Sequence, residues 1–559
     1  MDKLRTLIIG CLLVVGYMLI LAWNEDYGTP PQTPPPIAED LPSTSVQGTD
    51  IAKQSSFNDM AVPGTKDSTG ELSGEVKQPN ESQIITVKTD VLDIKIDPVG
   101  GQIIYSALRK FPVSLGDQSP LVLQTVENGR YFTAESALIG TDSKGQKWTD
   151  ADITYSSNTL HYELKENSES LKVVLTAESD QKKLIKTFTF KPSEYVVDVE
   201  YQVNNVSETA WKGFFAAKLV RDQSPDPTQT AGVGASSFLG AIISTKDAPY
   251  EKFHFKDMQN IAPVESTEGW IAFNQHYFLS AWIPTSQQNR KFQIKAKGSN
   301  FLMGYVESQD EILPGATHAF GAKLYVGPKV IELLEKVHPN LALTVDFGWL
   351  WLIAKPLYHV LEFIHDFVGN WGVAIILLTV SIKALFFHLS AASYRSMANM
   401  RRVAPELTRL KEQYGDDRQR MSQAMMELYR KEKINPLGGC LPILVQMPVF
   451  ISLYWVLLES VELRQAPFFG WIQDLSIKDP YFILPLLMGS TMFIQMKLNP
   501  TPPDPVQARV MQLMPIIFTV FFLWFPAGLV LYWFVNNLLS IAQQWIITRK
   551  IESDGGKAR

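Results

Sequence analysis

Between Ser82 and Leu343, apolar residues fall at every second position over short runs. Examples are Ile85-Thr-Val-Lys-Thr-Asp-Val-Leu-Asp-Ile-Lys-Ile96, Lys183-Leu-Ile-Lys-Thr-Phe-Thr-Phe190 and Tyr195-Val-Val-Asp-Val-Glu-Tyr-Gln-Val203. Side chains two apart share a face of a strand, so this pattern buries one face and wets the other. The runs are separated by Gly, Asn, Asp and Pro turns, which predicts one large antiparallel β-sandwich over 82–343. Trp211, Trp270 and Trp282 are expected in its core rather than on a ligand platform.

The period then changes. In Asp346–Asp366, Lys355, His359, Glu362 and Asp366 are spaced by three and four, while Trp349, Leu352, Ile353, Leu357, Val360, Leu361 and Ile364 fill the other side. This predicts an amphipathic helix over 344–367, lying in a membrane interface with Trp349 and Trp351 as anchors and Lys355 and His359 on its wet stripe. A core helix of the sandwich is the alternative.

From 368 to 548 the chain is dominated by apolar runs, read as five spans at about 371–391, 437–458, 480–497, 510–525 and 527–547. Two of them, Tyr481–Met496 and Val510–Phe525, reach roughly 24 Å, less than the roughly 30 Å of a hydrocarbon core. An apolar run from Leu7 to Ala22 follows Lys3 and Arg5 with no small-residue cleavage site, so 1–23 is expected to be an uncleaved anchor. The stretch 24–81 is rich in Pro, Ser, Thr and Gly and should be a disordered linker.

Charge sets the orientation. The segment 393–435 carries ten Arg and Lys residues, from Arg395 to Lys433, and is expected inside. With six spans both termini lie on that side, the sandwich lies on the other, and 549–559 is a short inside tail. Met397, Met400, Val403, Leu407 and Leu410, then Met421, Met425 and Leu428, recur at helical steps around Gly415-Asp416-Asp417. This predicts a helical hairpin whose methionines either fill gaps or offer an adaptable surface to hydrophobic clients.

Composition changes little. The 559 residues are 46% hydrophobic and 19% charged with a net charge of −6, so nothing points to nucleic acid. The two cysteines, Cys11 and Cys440, lie in or beside spans, which argues against a structural disulfide. No P-loop, metal-ligand spacing or nucleophile elbow occurs, so the sequence points to no cofactor, no metal and no enzyme.

Lys383 changes the picture most. It lies ten residues into the run from Val373, roughly 15 Å deep, where a cation costs about 2.5–3.5 kcal/mol. Such a residue either snorkels to the headgroups or faces a wet cavity with a function. Among the predicted spans only Glu459, at the very end of one, could neutralise it. Thr379 shares its helix face, and Gln446, Gln495, Gln512, Asn536, Asn537, Gln543 and Gln544 offer uncharged polar groups for a hydrated groove or for interhelical bonds.

With Asn435-Pro-Leu-Gly-Gly-Cys-Leu-Pro-Ile-Leu-Val-Gln-Met-Pro-Val-Phe450, Val461-Glu-Leu-Arg-Gln-Ala-Pro467, Asp479-Pro-Tyr-Phe-Ile-Leu-Pro485 and Phe521-Phe-Leu-Trp-Phe-Pro-Ala-Gly-Leu-Val-Leu-Tyr532, the chain resembles the YidC/Oxa/Albino-type insertases in their six-span Gram-negative form. The resemblance implies a bacterial inner-membrane protein with an α-helical five-span core and a large periplasmic supersandwich-like domain. The implied activity is insertion and folding of membrane proteins, alone or with the Sec translocon and its accessory subunits. It places the family's essential groove cation at Lys383, usually Arg, and the matching groove threonine at Thr379; the amides Gln446 and Asn536 are expected to line the same groove. The aromatic pair along which substrates slide falls at Tyr532 and Trp533, where the second position is commonly Tyr. Implied partners are nascent membrane proteins with short acidic periplasmic segments, the lipid bilayer, and the ribosome and signal-recognition-particle receptor. Members with long basic tails use them on ribosomes; here only Lys550, Lys557 and Arg559 follow Arg549. A secondary transporter and a membrane-anchored periplasmic binding protein are the competing readings, although no repeated halves or paired membrane carboxylates are present.

Overall fold

The computed structural model describes residues 83–228, 237–259, 261–414, 417–432, 441–499 and 505–555. The expected anchor and linker, and the Asn435–Cys440 part of the insertase-like motif, lie outside the described residues.

The alternating segment folds into two sheets. The 12-stranded sheet has Asn300–Glu307, Trp211–Asp222, Phe132–Thr141 and Gln102–Pro112 at its centre, and the nine-stranded sheet has Phe278–Pro284, Thr317–Pro328, Val196–Asn205 and Lys182–Phe190. Pairing is antiparallel except between Ile85–Lys88 and His161–Glu163. The alternation of 85–96 becomes a hairpin with Ile85 opposite Ile96 and Val87 opposite Ile94, which puts all four on the buried face. The sheets meet through Tyr201 against Phe215 (5.6 Å between ring centres) and Phe132 against Phe273 (5.8 Å). Trp211, Trp270 and Trp282 lie in the core as expected, and Trp282 Nε1 donates across the layers to Lys218 O (3.1 Å).

Charges inside the sandwich come with partners. Lys218 meets Glu135 at 3.1 Å, and Arg290 meets Glu307 at 3.6 Å. Lys186 donates to Gly100 O and Ser136 O beside Asp150; burial pulls this ammonium down and pushes Asp150 up. The strands end at Pro328, and the last part of the 82–343 range is helical: α1 (Ile331–Val337) and a 3-10 stretch, Pro339–Thr344.

Among the described residues nine more α-helices follow: α2 (Trp351–Val368), α3 (Trp371–Leu385), α4 (Phe387–Arg402), α5 (Ala404–Tyr414), α6 (Arg418–Lys431), α7 (Leu441–Glu459), α8 (Ile483–Leu498), α9 (Pro505–Phe522) and α10 (Ala527–Gly555). α2 ends at Gly369, whose φ of +69° suits a residue without Cβ, and Asn370 caps α3 through Val373 N (3.0 Å). α2 has three useful faces. Ala354, Tyr358 and Leu361 are buried, and Lys355 and His359 pair with Glu335 (3.0 Å) and Glu362 (3.6 Å). Opposite the buried face, Leu352, Val360, Phe363 and Phe367 are exposed in one stripe, Phe367 by 89%, with Trp349 and Trp351 exposed nearby. An apolar stripe left bare on the outside is what an interfacial helix requires.

The continuous helix expected over 371–391 is instead two. α3 stops at Leu385 and the chain bends by 68° into α4; among the described residues no single helix is long and apolar enough to cross a membrane, whereas this bent pair is when taken together. No proline or glycine marks the bend. On its far side, Gln543 Nε2 donates to Phe387 O (3.1 Å), so a neighbouring side chain holds the backbone there. The first arm of the hairpin also breaks, at Val403, two residues before Pro405, whose missing N–H and ring interrupt a continuous helix. Asp417 caps α6 through Gln419 N and Arg420 N, and Arg402 meets Glu432 at 3.1 Å across the hairpin's base. α10 runs past the expected end at 547 to Gly555.

Sandwich and helices are joined by buried contacts. Lys329 Nζ meets Glu459 at 2.9 Å with both side chains almost fully enclosed, and His276 Nε2 lies 2.9 Å from Leu458 O. Arg464 donates to Pro112 O and Val113 O. Glu459, the one carboxylate considered for Lys383, is thus committed elsewhere.

Candidate functional site

α3, α7 and α10 place the key polar groups. On α10, Tyr532, Asn536 and Ser540 are spaced by four and share one face. Lys383 lies in the last turn of α3, where the helix dipole favours a cation, just before the bend. Gln446 comes from α7.

These five side chains form one network. Lys383 Nζ donates to Ser540 Oγ (2.8 Å) and Gln446 Oε1 (3.3 Å). Gln446 Nε2 donates to Tyr532 OH and Asn536 Oδ1, both at 3.0 Å, and Ser540 Oγ donates to Asn536 O (2.7 Å). Among the described residues the ammonium thus has two hydrogen-bond partners, both neutral, and Glu459 pairs with Lys329 instead. Lys383 is also half-buried rather than enclosed, as are Gln446 and Asn536. The arrangement solvates an ammonium yet leaves its charge uncompensated, as a wet groove would.

Other expected members stand apart. Thr379 is 1% exposed and its hydroxyl donates to Ile375 O (2.7 Å), within its own helix. Tyr532 is also 1% exposed. Trp533, one position on, turns away into an aromatic group with Phe450 (4.4 Å, edge-on) and Phe522 (5.5 Å), and its Nε1 is buried without an acceptor among the described residues. Asn537 bonds Thr491, Gln544 bonds Leu498 O and Asn499, and Gln512 is exposed. Most of the uncharged polar groups thus tie helices together or face outward. Ser540 was missed, although its spacing from Asn536 and Tyr532 was visible; serines in apolar runs usually bond their own helix. Met397, Met400, Met421 and Met425 are all half-buried, and Met426 is more exposed than any of them.

A family model described as "60Kd inner membrane protein" matches residues 363–554, and one described as "YidC periplasmic domain" matches 84–360. A curated relative from Hahella chejuensis named "Membrane protein insertase YidC" is 58% identical, covering 100% of this chain and 99% of the relative. The chain belongs to the YidC family of membrane protein insertases. A YidC relative from Marinobacter nauticus is 53% identical over 99% of both chains. A solved structure titled "Active YidC insertase crystal structure with the first transmembrane domain resolved" is 19% identical at a TM-score of 0.37, covering 82% of this chain and 92% of that one. At that score the likeness carries no detail. Membership of the YidC family makes this an inner-membrane protein with a periplasmic domain, and that domain is the β-sandwich of 85–328.

Proposed function

We propose that this chain inserts and folds inner-membrane proteins, taking nascent clients into a groove lined by Lys383, Gln446, Asn536, Ser540 and Tyr532. The observation that carries this reading is the ammonium of Lys383, hydrogen-bonded among the described residues to neutral groups only, between helices whose outer faces are apolar. A client's short acidic outside segment supplies the missing negative charge. One charge pair at 4 Å is worth about 4 kcal/mol at an effective dielectric near 20, enough to guide a segment and still release it. Lys presents a point charge rather than the planar fork of Arg, so recognition rests on attraction more than on geometry.

In this reading the end of α4 and the hairpin of α5 and α6 face the cytoplasm and meet clients through Met397 and Met400 on α4 and Met421 and Met425 on α6. α2 floats in the outer interface on Trp349, Trp351 and its bare apolar stripe, and the client's span leaves along α10 past Trp533. Membrane potential and burial of that span drive release. Both termini are cytoplasmic, and the Sec translocon is a partner for larger clients.

The test is reconstitution of the full chain into proteoliposomes with a single-span client bearing an acidic N-tail, read by protease protection. Wild type and Lys383→Arg should protect the tail, while Lys383→Glu should lower protection at least about 10-fold, the factor that follows from even 1.4 kcal/mol of the attraction. Equal protection by the Glu variant overturns the charge-attraction mechanism; none by wild type overturns autonomous insertion.

A further inference from the structure

At the junction of sandwich and helices lies a second polar cluster, unrelated to the groove. Glu332 projects from α1, His359 and Glu362 from one face of α2, and one ligating atom from each lies within 4.8 Å of the other two. His359 Nδ1 is 3.6 Å from Glu362 Oε2. Glu462, from the 3-10 turn Val461–Leu463 after α7, sits against this group and accepts from Tyr358 OH through Oε1 (3.0 Å). Its other oxygen, Oε2, is buried with no hydrogen-bond donor among the described residues, and so is Glu332 Oε2.

Three carboxylates therefore converge with two buried oxygens unmatched. The neighbouring cation, Lys355, is held by Glu335 at 3.0 Å. Buried carboxylate oxygens without donors are costly, and their presence calls for an occupant. Imidazole nitrogen with carboxylate oxygens is a donor set of borderline softness, suited to zinc and its first-row divalent neighbours. Such an ion needs ligand atoms about 3.3 Å apart at bond lengths of about 2.0–2.2 Å. Binding therefore requires side-chain rotation of Glu332 and Glu362 to close the present spread of up to 4.8 Å. His359 has 46% of its side chain exposed, which gives the ion a path from water.

We propose that Glu332, His359 and Glu362 bind one divalent metal ion of the zinc class, with Glu462 as the supporting carboxylate. Such an ion ties together three segments: the last helix of the sandwich, the exposed-stripe helix α2 and the turn leaving α7. It is independent of the insertase reading, because none of its ligands touches the Lys383 network.

The experiment uses untagged full-length protein in detergent, stripped with chelator and titrated with Zn2+ alone by calorimetry. Wild type should bind one ion per chain, and Glu332→Gln/Glu362→Gln should lose that site. Glu462→Gln should weaken binding about 10- to 100-fold, as loss of a supporting carboxylate does. Zn2+ should raise the Tm of wild type and not that of the double variant, whose unliganded Tm shows that it folds. No stoichiometric binding by wild type, or unchanged affinity in the folded double variant, overturns the site. Co2+ gives the geometry: an intense visible band that vanishes in His359→Gln supports imidazole ligation, and a band unchanged by that substitution overturns the assigned ligand set.

Discussion

The sandwich and the helical bundle solve burial in opposite ways. In the sandwich the apolar groups point inward, and the buried lysines Lys218, Lys186 and Lys182 each have a carboxylate beside them. In the bundle, large apolar side chains such as Leu486, Ile516 and Ile517 face outward by 58–61%, while the amides and the one central ammonium turn in. An outward apolar surface suits a hydrocarbon solvent, where helices gain little by hiding it. The difference shows what each charge is for. A lysine paired with a carboxylate holds its own region together; in the proposed mechanism, a lysine solvated by Gln446 and Ser540 is the one that receives an incoming anion.

Two substitutions test this contrast most strongly. Lys218→Met leaves Glu135 buried and unpaired, and should destabilise the sandwich by about 3–5 kcal/mol. Lys383→Met strands no opposite charge, and should change stability by under about 1 kcal/mol while abolishing insertion of acidic-tailed clients. Denaturant unfolding of both variants, with the insertion assay on the second, separates the roles. Equal destabilisation by the two would end the comparison.

A smaller effect sits at the boundary between the regions. Burial holds the His276 imidazole below its ordinary 6.5, with Glu459 opposing and Lys329 assisting, and Asp226 near by. The folded state therefore binds fewer protons than the unfolded one at mildly acidic pH. Its contribution to stability is complete above about pH 6.5 and is lost as pH falls through the window below. His276→Gln keeps a donor for Leu458 O and should flatten this dependence, read as the denaturant midpoint across mildly acidic to neutral pH. The smallest effect belongs to Gln446→Leu. It removes interhelical bonds worth under about 1 kcal/mol each, so stability should barely move while insertion of acidic-tailed clients changes measurably.

Much of this was legible in the sequence. Alternation located the strands, including the register-setting pairs of 85–96, and the three- and four-residue spacing found α2 and its wet stripe. Lys383, Gln446 and Asn536 were recognisable because polar groups in apolar runs are conspicuous. What escaped depends on distance along the chain. Glu459 lies 130 positions from Lys329, and no local pattern announces that pairing. The bend after Leu385 has no proline or glycine to signal it and is met by Gln543 from another helix. Thr379 shares Lys383's face but spends its hydroxyl on its own backbone. The four-group junction of Glu332, His359, Glu362 and Glu462 spans three separate segments, so only the folded chain assembles it.

The buried ion pair at the foot of α7 has a mechanical side. A helix is stiff along its axis, and Glu459 fixes one end of this one to the sandwich while Gln446, about 20 Å away at 1.5 Å per residue, touches Lys383. The rod has a single weak joint, Pro448, which removes a backbone donor two positions from Gln446. Any push or twist on the periplasmic domain is therefore delivered along α7 and spent at that joint, as a change in how the groove's amide faces its cation.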